Sequence, residues 1–205
     1  MNFDEIIRCL SAADQKIVGD MTALFDDIDR QTEKFAKATG LKCKNGCGAC
    51  CTNPEIETTV AEVLPVAVHL WSQGQATSRL ENIRTNSSNG ICIFYQPNSF
   101  DPTQGRCGIY DYRPGLCRLF GFAARRNKSG KQVLVTCKVI KHSQAQCCQD
   151  AQEQLNKGLA APLLTNLASA VSNIAPHNGQ KLLPINLAIK SAIEKIGYTI
   201  ENMKQ

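Results

Sequence analysis

Apolar residues recur at three- and four-residue steps along the first forty positions: Phe3, Ile6, Ile7, Leu10, Ile17, Met21, Leu24, Phe25, Ile28 and Phe35. That spacing writes one buried stripe on one or two amphipathic helices. Ser11 followed by Asp14 marks a helix start with an acidic first turn, and Gly40 marks its stop. A second helical stretch is predicted after position 59. Thr59 and Glu62 have the spacing of a capping box ahead of Val63, Val66, Ala67, Leu70 and Trp71; Pro65 fits only near the first turn, and Gly74 ends the run. A shorter polar helix is predicted around Arg79 to Arg84, broken by the Asn/Ser run at 86–90. The pattern then changes. Ile91-Cys92-Ile93-Phe94-Tyr95 is β-rich, a Pro/Asn/Asp loop with Pro97, Asp101, Pro102 and Gly105 follows, and Cys107-Gly108-Ile109-Tyr110 resumes, which reads as strand, loop, strand. Arg118 to Arg126 and Lys131 to Cys137 flank Asn127-Lys128-Ser129-Gly130, a β-hairpin signature. Helical spacing returns with Leu155, Leu159, Leu163, Leu164, Leu167, Val171 and Ile174, with a break at Pro162. A final helix is expected from Pro184 to Ile196, with Gly197 as its stop.

The fold class expected is therefore mostly α with a small β-hairpin. Three segments follow: helical 1–40, a cysteine-bearing 41–148 and helical 149–205, taken together as one compact unit. With 205 residues, 43% of them hydrophobic and 20% charged, the chain is ordered and large enough for a single core. No stretch reaches the roughly 20 apolar residues of a membrane helix, and Asp4, Glu5 and Arg8 interrupt any signal-peptide core, so a soluble cytoplasmic protein is expected.

Cysteine changes this picture most. There are 11, an odd number, making about 5% of the chain, below the density of small secreted disulfide scaffolds. Ten of them fall between Cys43 and Cys148, and only Cys9 lies outside. In a reducing compartment that many thiols suit metal ligation rather than disulfides. Charge follows the same division. Residues 1–40 carry five Lys and Arg against eight Asp and Glu, whereas residues 41–148 carry thirteen against six. A basic middle is compatible with nucleic acid, but no RNA-module motif appears and only 6% of residues are aromatic, so no nucleic-acid partner is expected. The simpler reading places the cations around thiolates, whose pKa values they lower and whose charge they offset.

Eight cysteines form the candidate metal site. Cys43, Cys47, Cys50 and Cys51 make a local unit in a tight loop with Gly46 and Gly48, and Cys92, Cys107, Cys117 and Cys137 lie downstream. Thiolate is the soft ligand of Zn²⁺ and of iron–sulfur clusters, each of which takes four, so eight suffice for two sites. The adjacent pair Cys50-Cys51 suggests two neighbouring sites on one loop, while a single site with a spare thiol stays open. Arg113 and Arg118 bracket Cys117 as hydrogen-bond donors to thiolate or sulfide, or else pair with Asp111 or solvent. Cys9 is expected to be a small buried hydrophobe, His69 a packed or surface residue and His142 at most a spare ligand. Cys147 and Cys148 fall on a polar helical stretch, point about 100° apart, and are expected to be dispensable for metal.

These residues resemble a known family, the YkgJ-type cysteine-cluster proteins, described as a zinc- or iron-chelating domain. The resemblance rests on the Cys43/Cys47/Cys50/Cys51 unit, on Cys92, and on the run from Gly105 through Cys107, Tyr110, Arg113, Pro114 and Cys117 to Phe120. It spans roughly 43–137; the family carries Pro where this chain has Ile93. The resemblance implies metal bound through eight cysteines, as zinc or iron, including a 4Fe-4S cluster, with a structural or redox role. Some relatives are linked to flagellin lysine methylation, so an enzyme related to protein lysine methylation, or a redox enzyme, is the alternative it implies. The metal ion is the expected partner, no membrane partner is expected, and a protein partner is left open. Cys43-x3-Cys47-x2-Cys50 also copies radical-SAM spacing, but the chain lacks the strand–helix alternation of that barrel.

Overall fold

A computed structural model describes residues 1–86, 90–101, 104–177 and 180–203. Parts of the predicted turn at 86–90 and of the loop around Pro102 lie outside the described residues.

The chain is mostly helical. Helix α1 (Phe3–Cys9) is closed by a capping box between Asn2 and Glu5, and α2 (Ala12–Thr39) starts where Ser11 accepts a hydrogen bond from the Asp14 amide. Gly40 ends α2 in the left-handed region at φ 72°, which L side chains rarely adopt. The predicted Thr59/Glu62 box is formed reciprocally, with Glu62 N–H donating to Thr59 Oγ1 at 3.2 Å and Thr59 N–H donating to Glu62 Oε2 at 3.1 Å. It opens a 3₁₀ turn (Ala61–Val63) that runs into α3 (Leu64–Ser72), with Pro65 in the first turn as expected. Then come α4 (Ala76–Asn86), α5 (Gly115–Leu119), α6 (Lys138–Ser143), α7 (Ala145–Asn156), α8 (Leu164–Ile174) and α9 (Ile185–Asn202).

Strands occur only as short antiparallel pairs among the described residues. β1 (Glu57–Thr58) pairs β6 (Leu183–Pro184), β2 (Tyr95–Pro97) pairs β3 (Gly105–Cys107), and β4 (Ala123–Arg126) pairs β5 (Gln132–Val135). The last pair is the predicted hairpin, its turn held by Asn127 Oδ1, which accepts from Ser129 N–H at 3.0 Å and Lys131 N–H at 2.9 Å.

Predicted boundaries moved at several places; the strand expected over Cys107–Tyr110, for one, ends at Cys107 and gives way to a turn and a 3₁₀ helix (Tyr110–Tyr112). Residues 91–94 are not strand, because Ile91 C=O and Ile93 N–H are bonded to the Asn186 side chain rather than to a strand neighbour. Arg118 and Leu119 belong to α5, so the hairpin begins later, at Ala123. Gly197 does not stop the last helix; it lies buried within α9, where a Cβ would meet the Trp71 ring at 2.6 Å. The missing side chain lets α3 and α9 pack closely, and Trp71 Nε1 donates to Ile193 C=O at 2.9 Å.

One core cluster draws on both ends of the chain. Ile6, Leu10 and Val18 meet Val63, Leu64 and Leu70 of the middle and Ile185, Ile189 and Ile193 of α9, and the same cluster includes Cys51, Cys92 and Cys117. The helices thus wall one side of the cysteine region. No described helix is long and apolar enough to cross a membrane.

Candidate metal centre

The loop after α2 turns sharply at Gly46 (φ 67°) and Gly48 (φ 60°). Gly105 N–H of β3 donates to Gly46 C=O at 2.9 Å, which stitches the loop to the β2–β3 pair. A Cβ on Gly48 would lie 2.4 Å from the Tyr95 ring and 3.1 Å from the Gly105 carbonyl, so the approach is open only to glycine. At Gly46 the nearest atom to such a Cβ is 3.8 Å away. Gly48→Ala is therefore expected to cost about 2 kcal/mol, from left-handed strain plus overlap, and Gly46→Ala about 1 kcal/mol, from strain alone. Denaturant unfolding of the metal-loaded protein checks this order; equal costs would mean that Tyr95 yields freely.

This stitching gathers the cysteines. Cys92 N–H donates to Cys51 C=O at 2.9 Å, and β2–β3 pairing puts Cys107 opposite Tyr95. Cys51 comes within thiol–thiol hydrogen-bonding range of Cys107, Cys50 and Cys92. These four, with Cys117, border a small void of about 10 Å³ whose walls include Ile109, Pro114 and Ile185. Its volume is near that of one water-sized probe. On the outer side Cys43, Cys47 and Cys137 join Cys50, Cys107 and Cys117 around a cleft of about 620 Å³. Each of the eight predicted cysteines thus lines one of two adjoining spaces, and three of them line both. Cys9, Cys147 and Cys148 line neither.

Proton affinities divide across the inner group. Cys51 keeps its proton: hydrogen bonds to Cys107, Cys50 and Cys92, then burial, push its pKa far up. As acceptors from Cys51, Cys50 is brought down to about 6 and Cys107 to about 7, each opposed by burial and aided by Arg113. Burial, followed by the charges of neighbouring cysteines, raises Cys117, and the same causes raise Cys43. Desolvated thiols that repel one another as thiolates are the environment a soft cation relieves, since ligation removes the protons and supplies the missing charge. Among the described residues no three Cys, His, Asp or Glu side chains stand as a ready-made metal site. Ligation thus requires the sulfurs to turn from one another toward a common centre. The donor set, soft, cysteine-only and partly sealed, fits zinc or iron.

The two arginines divide their work. Arg113 lies over the Tyr110 ring at 3.5 Å, donates to Tyr110 C=O at 2.9 Å and to Cys117 C=O at 3.3 Å, and supplies the positive field felt by Cys43, Cys50, Cys107 and Cys117. Arg118 is buried and turns away from the thiols. It pairs with the Asp29 carboxylate of α2, donates to Arg113 C=O at 2.7 Å and to Asp111 C=O, and covers the Phe25 ring. The expected thiolate donor is instead a strut between α2 and the Cys107–Cys117 segment. Its expected alternative partner, the Asp111 side chain, is replaced by that residue's carbonyl.

Other expectations resolve simply. His69 stacks on Tyr112 with ring centroids 4.1 Å apart, and burial lowers its pKa. His142 is exposed on α6 and lines neither space. Cys9 is half-buried at the end of α1 rather than fully buried. Cys147 and Cys148 do lie on a helix, α7, but pack half-buried against a core cluster instead of facing solvent.

Sequence reasoning missed two groups. Glu62, read as a cap, also accepts from Gly115 N–H at 3.1 Å and so fixes the start of the helix carrying Cys117. Asn186 of α9 brackets Cys92, accepting from Ile93 N–H at 3.0 Å and donating to Ile91 C=O at 2.8 Å. Neither has a local signal beyond being a polar residue in an apolar run.

Comparison with known proteins falls on the same stretch. Residues 42–138 match the family CxxCxxCC, described as "Putative zinc- or iron-chelating domain". This segment is similar to that family. No curated protein and no solved structure matches the chain. The CxxCxxCC segment begins one residue before Cys43 and ends one after Cys137, so it spans the eight cysteines and excludes Cys9, Cys147 and Cys148. Asp29 and Asn186, which brace the CxxCxxCC segment from α2 and α9, lie outside it.

Proposed function

We propose that the chain is a cytoplasmic metal-binding protein in which Cys43, Cys47, Cys50, Cys51, Cys92, Cys107, Cys117 and Cys137 supply the ligands for zinc or an iron–sulfur cluster. The observation that carries this reading is convergence. Eight thiols spread from position 43 to position 137 border two adjoining spaces, while the other three cysteines border neither. All eleven cysteines are free thiols, which suits a reducing compartment. The centre's role is structural or redox. Zinc would supply folding energy outright, and an iron–sulfur cluster would add electron transfer or oxidant sensing.

Protein purified without air distinguishes the two metals. A brown preparation absorbing in the visible and containing sulfide means a cluster, whereas colourless protein with zinc means four-thiolate ions. Serine substitution tests the ligand set. Each of the eight variants is expected to lose metal, and Cys9→Ser is expected to keep it. Full retention in Cys51→Ser or Cys92→Ser would show that the inner ligands are assigned wrongly.

The breadth of the outer cleft favours a second reading, an enzyme in which the centre serves protein lysine methylation or a redox reaction. A closed four-thiolate ion has no free position, so binding of an added anion such as cyanide to the cobalt-substituted centre would favour the enzyme.

A further inference from the structure

The outer cleft is larger than a metal ion needs. An ion held at about 2.3 Å from sulfur sits among the thiols themselves. The cleft measures about 620 Å³, within the roughly 300–1,000 Å³ range of small-molecule pockets. Its walls away from the thiols carry a sign. Lys44, Arg106 and Arg113 line it against one carboxylate among the described residues, Asp111, and Tyr110, Phe120 and Phe122 add aromatic surface.

Both arginines are held by neutral acceptors. Arg106 of β3 faces Gln96 of β2 in the strand register, and its Nε donates to Gln96 Oε1 at 3.0 Å. Gln96 can reach that place because Gly108 has no side chain: a Cβ there would lie 2.7 Å from Gln96 Nε2. Arg113 is fixed by the Tyr110 ring and by the carbonyls of Tyr110 and Cys117. In each guanidinium part of the five-donor fork stays unengaged by the described residues, and neither pairs with a described carboxylate. Arg118, by contrast, has its charge met by Asp29. A guanidinium already held in place loses little side-chain freedom when it takes a carboxylate or a phosphate. The thiols feel the charge of Arg113. Arg106 is exposed and stands where the cleft meets a groove of about 310 Å³, which it lines together with Gly46, Pro97 and Phe100.

We propose that the cleft binds a small organic anion, its carboxylate or phosphate group held by Arg106 and Arg113 and its flat apolar body laid against Tyr110, Phe120 and Phe122. This rests on the second reading above, in which the cleft beside the centre takes a substrate, and gives that substrate a chemical class. Lys44 adds charge at the exposed side of the loop.

The test is calorimetric titration of the reduced, metal-loaded full chain with phenyl phosphate, benzoate, inorganic phosphate and neutral benzamide, with metal content measured on the same samples. Phenyl phosphate and benzoate are expected to bind one per chain, the tighter of the two naming the head group, and inorganic phosphate and benzamide to bind at least about tenfold more weakly. Arg106→Gln should weaken the two aromatic anions about tenfold. Arg113→Lys keeps the charge that the thiols feel but loses the fork, so it should weaken them by a similar factor with metal retained. Arg126→Gln, on the hairpin outside the cleft, should match wild type. Inorganic phosphate binding as tightly as phenyl phosphate would overturn the organic class. Benzamide matching benzoate, or Arg106→Gln and Arg113→Lys both matching wild type, would overturn the anion site while leaving a cleft that takes a ligand. No binding of any probe overturns the anion site as well, and the cyanide measurement then decides the enzyme reading on its own.

Discussion

Removing the metal with a chelator under reducing conditions is expected to lower the thermal midpoint by roughly 10 °C. Ligand held at about a thousand times its dissociation constant contributes about 4 kcal/mol, and for a chain of this size each kcal/mol moves the midpoint by roughly 2–4 °C. The loss should be uneven. Between α2 and α5 the regular structure among the described residues of the ligand-bearing stretches is β2–β3, with three residues on each side, and a 3₁₀ turn at Tyr110–Tyr112. Their order comes from a few backbone bonds such as Gly105 N–H to Gly46 C=O. By contrast α3 and α9 interlock through Trp71, Gly197 and a run of buried Ile and Val side chains. Hydrogen exchange should therefore show protection lost first in the 43–56 and 92–113 backbone and retained in α3 and α9. An unchanged midpoint with metal removed would mean that the thiol cluster holds itself, and the structural role would fall.

What could be read from the sequence was what local chemistry decides. The stripe from Phe3 to Phe35, the Ser11 and Gly40 boundaries, the Thr59/Glu62 box and the Asn127–Gly130 turn all depend on residues within four positions of one another, and all were found. What escaped depends on partners far along the chain. Ile91 to Phe94 has strand composition, but its backbone is claimed by a side chain more than ninety residues away. Gly197 has the composition of a helix stop, but Trp71 fills the space a side chain would take. Arg118 sits beside a cysteine in sequence and faces Asp29 in space, because a buried guanidinium goes where a carboxylate and open carbonyls are. The cysteine set itself was legible as composition and spacing. Its division into a small inner void and a wide outer cleft was not, since it follows from which helices happen to wall the cluster.

Asn186→Ala is expected to be a damaging change outside the cysteines. The side chain is buried, 6% exposed, and holds a donor and an acceptor on either side of Cys92. Truncation leaves Ile93 N–H and Ile91 C=O without those partners. Losing one hydrogen bond at Ile91 and the partner of the Ile93 N–H is expected to cost roughly 2 kcal/mol in denaturant unfolding. Asn186→Asp should fare no better: the carboxylate still accepts from Ile93 N–H, but it turns a second acceptor toward Ile91 C=O and buries a charge. The effect should reach the metal as well. Cys92 N–H is tied to Cys51 C=O, so freeing the 91–93 backbone loosens two inner thiols at once, and metal should leave the variant faster than wild type. Leu187→Ala, at the exposed neighbouring position, is the control and should change stability by no more than about 0.5 kcal/mol. If Asn186→Ala matched that control and held its metal as firmly as wild type, the brace that α9 gives the centre would be incidental. The inner thiols would then be held in place by the CxxCxxCC segment alone.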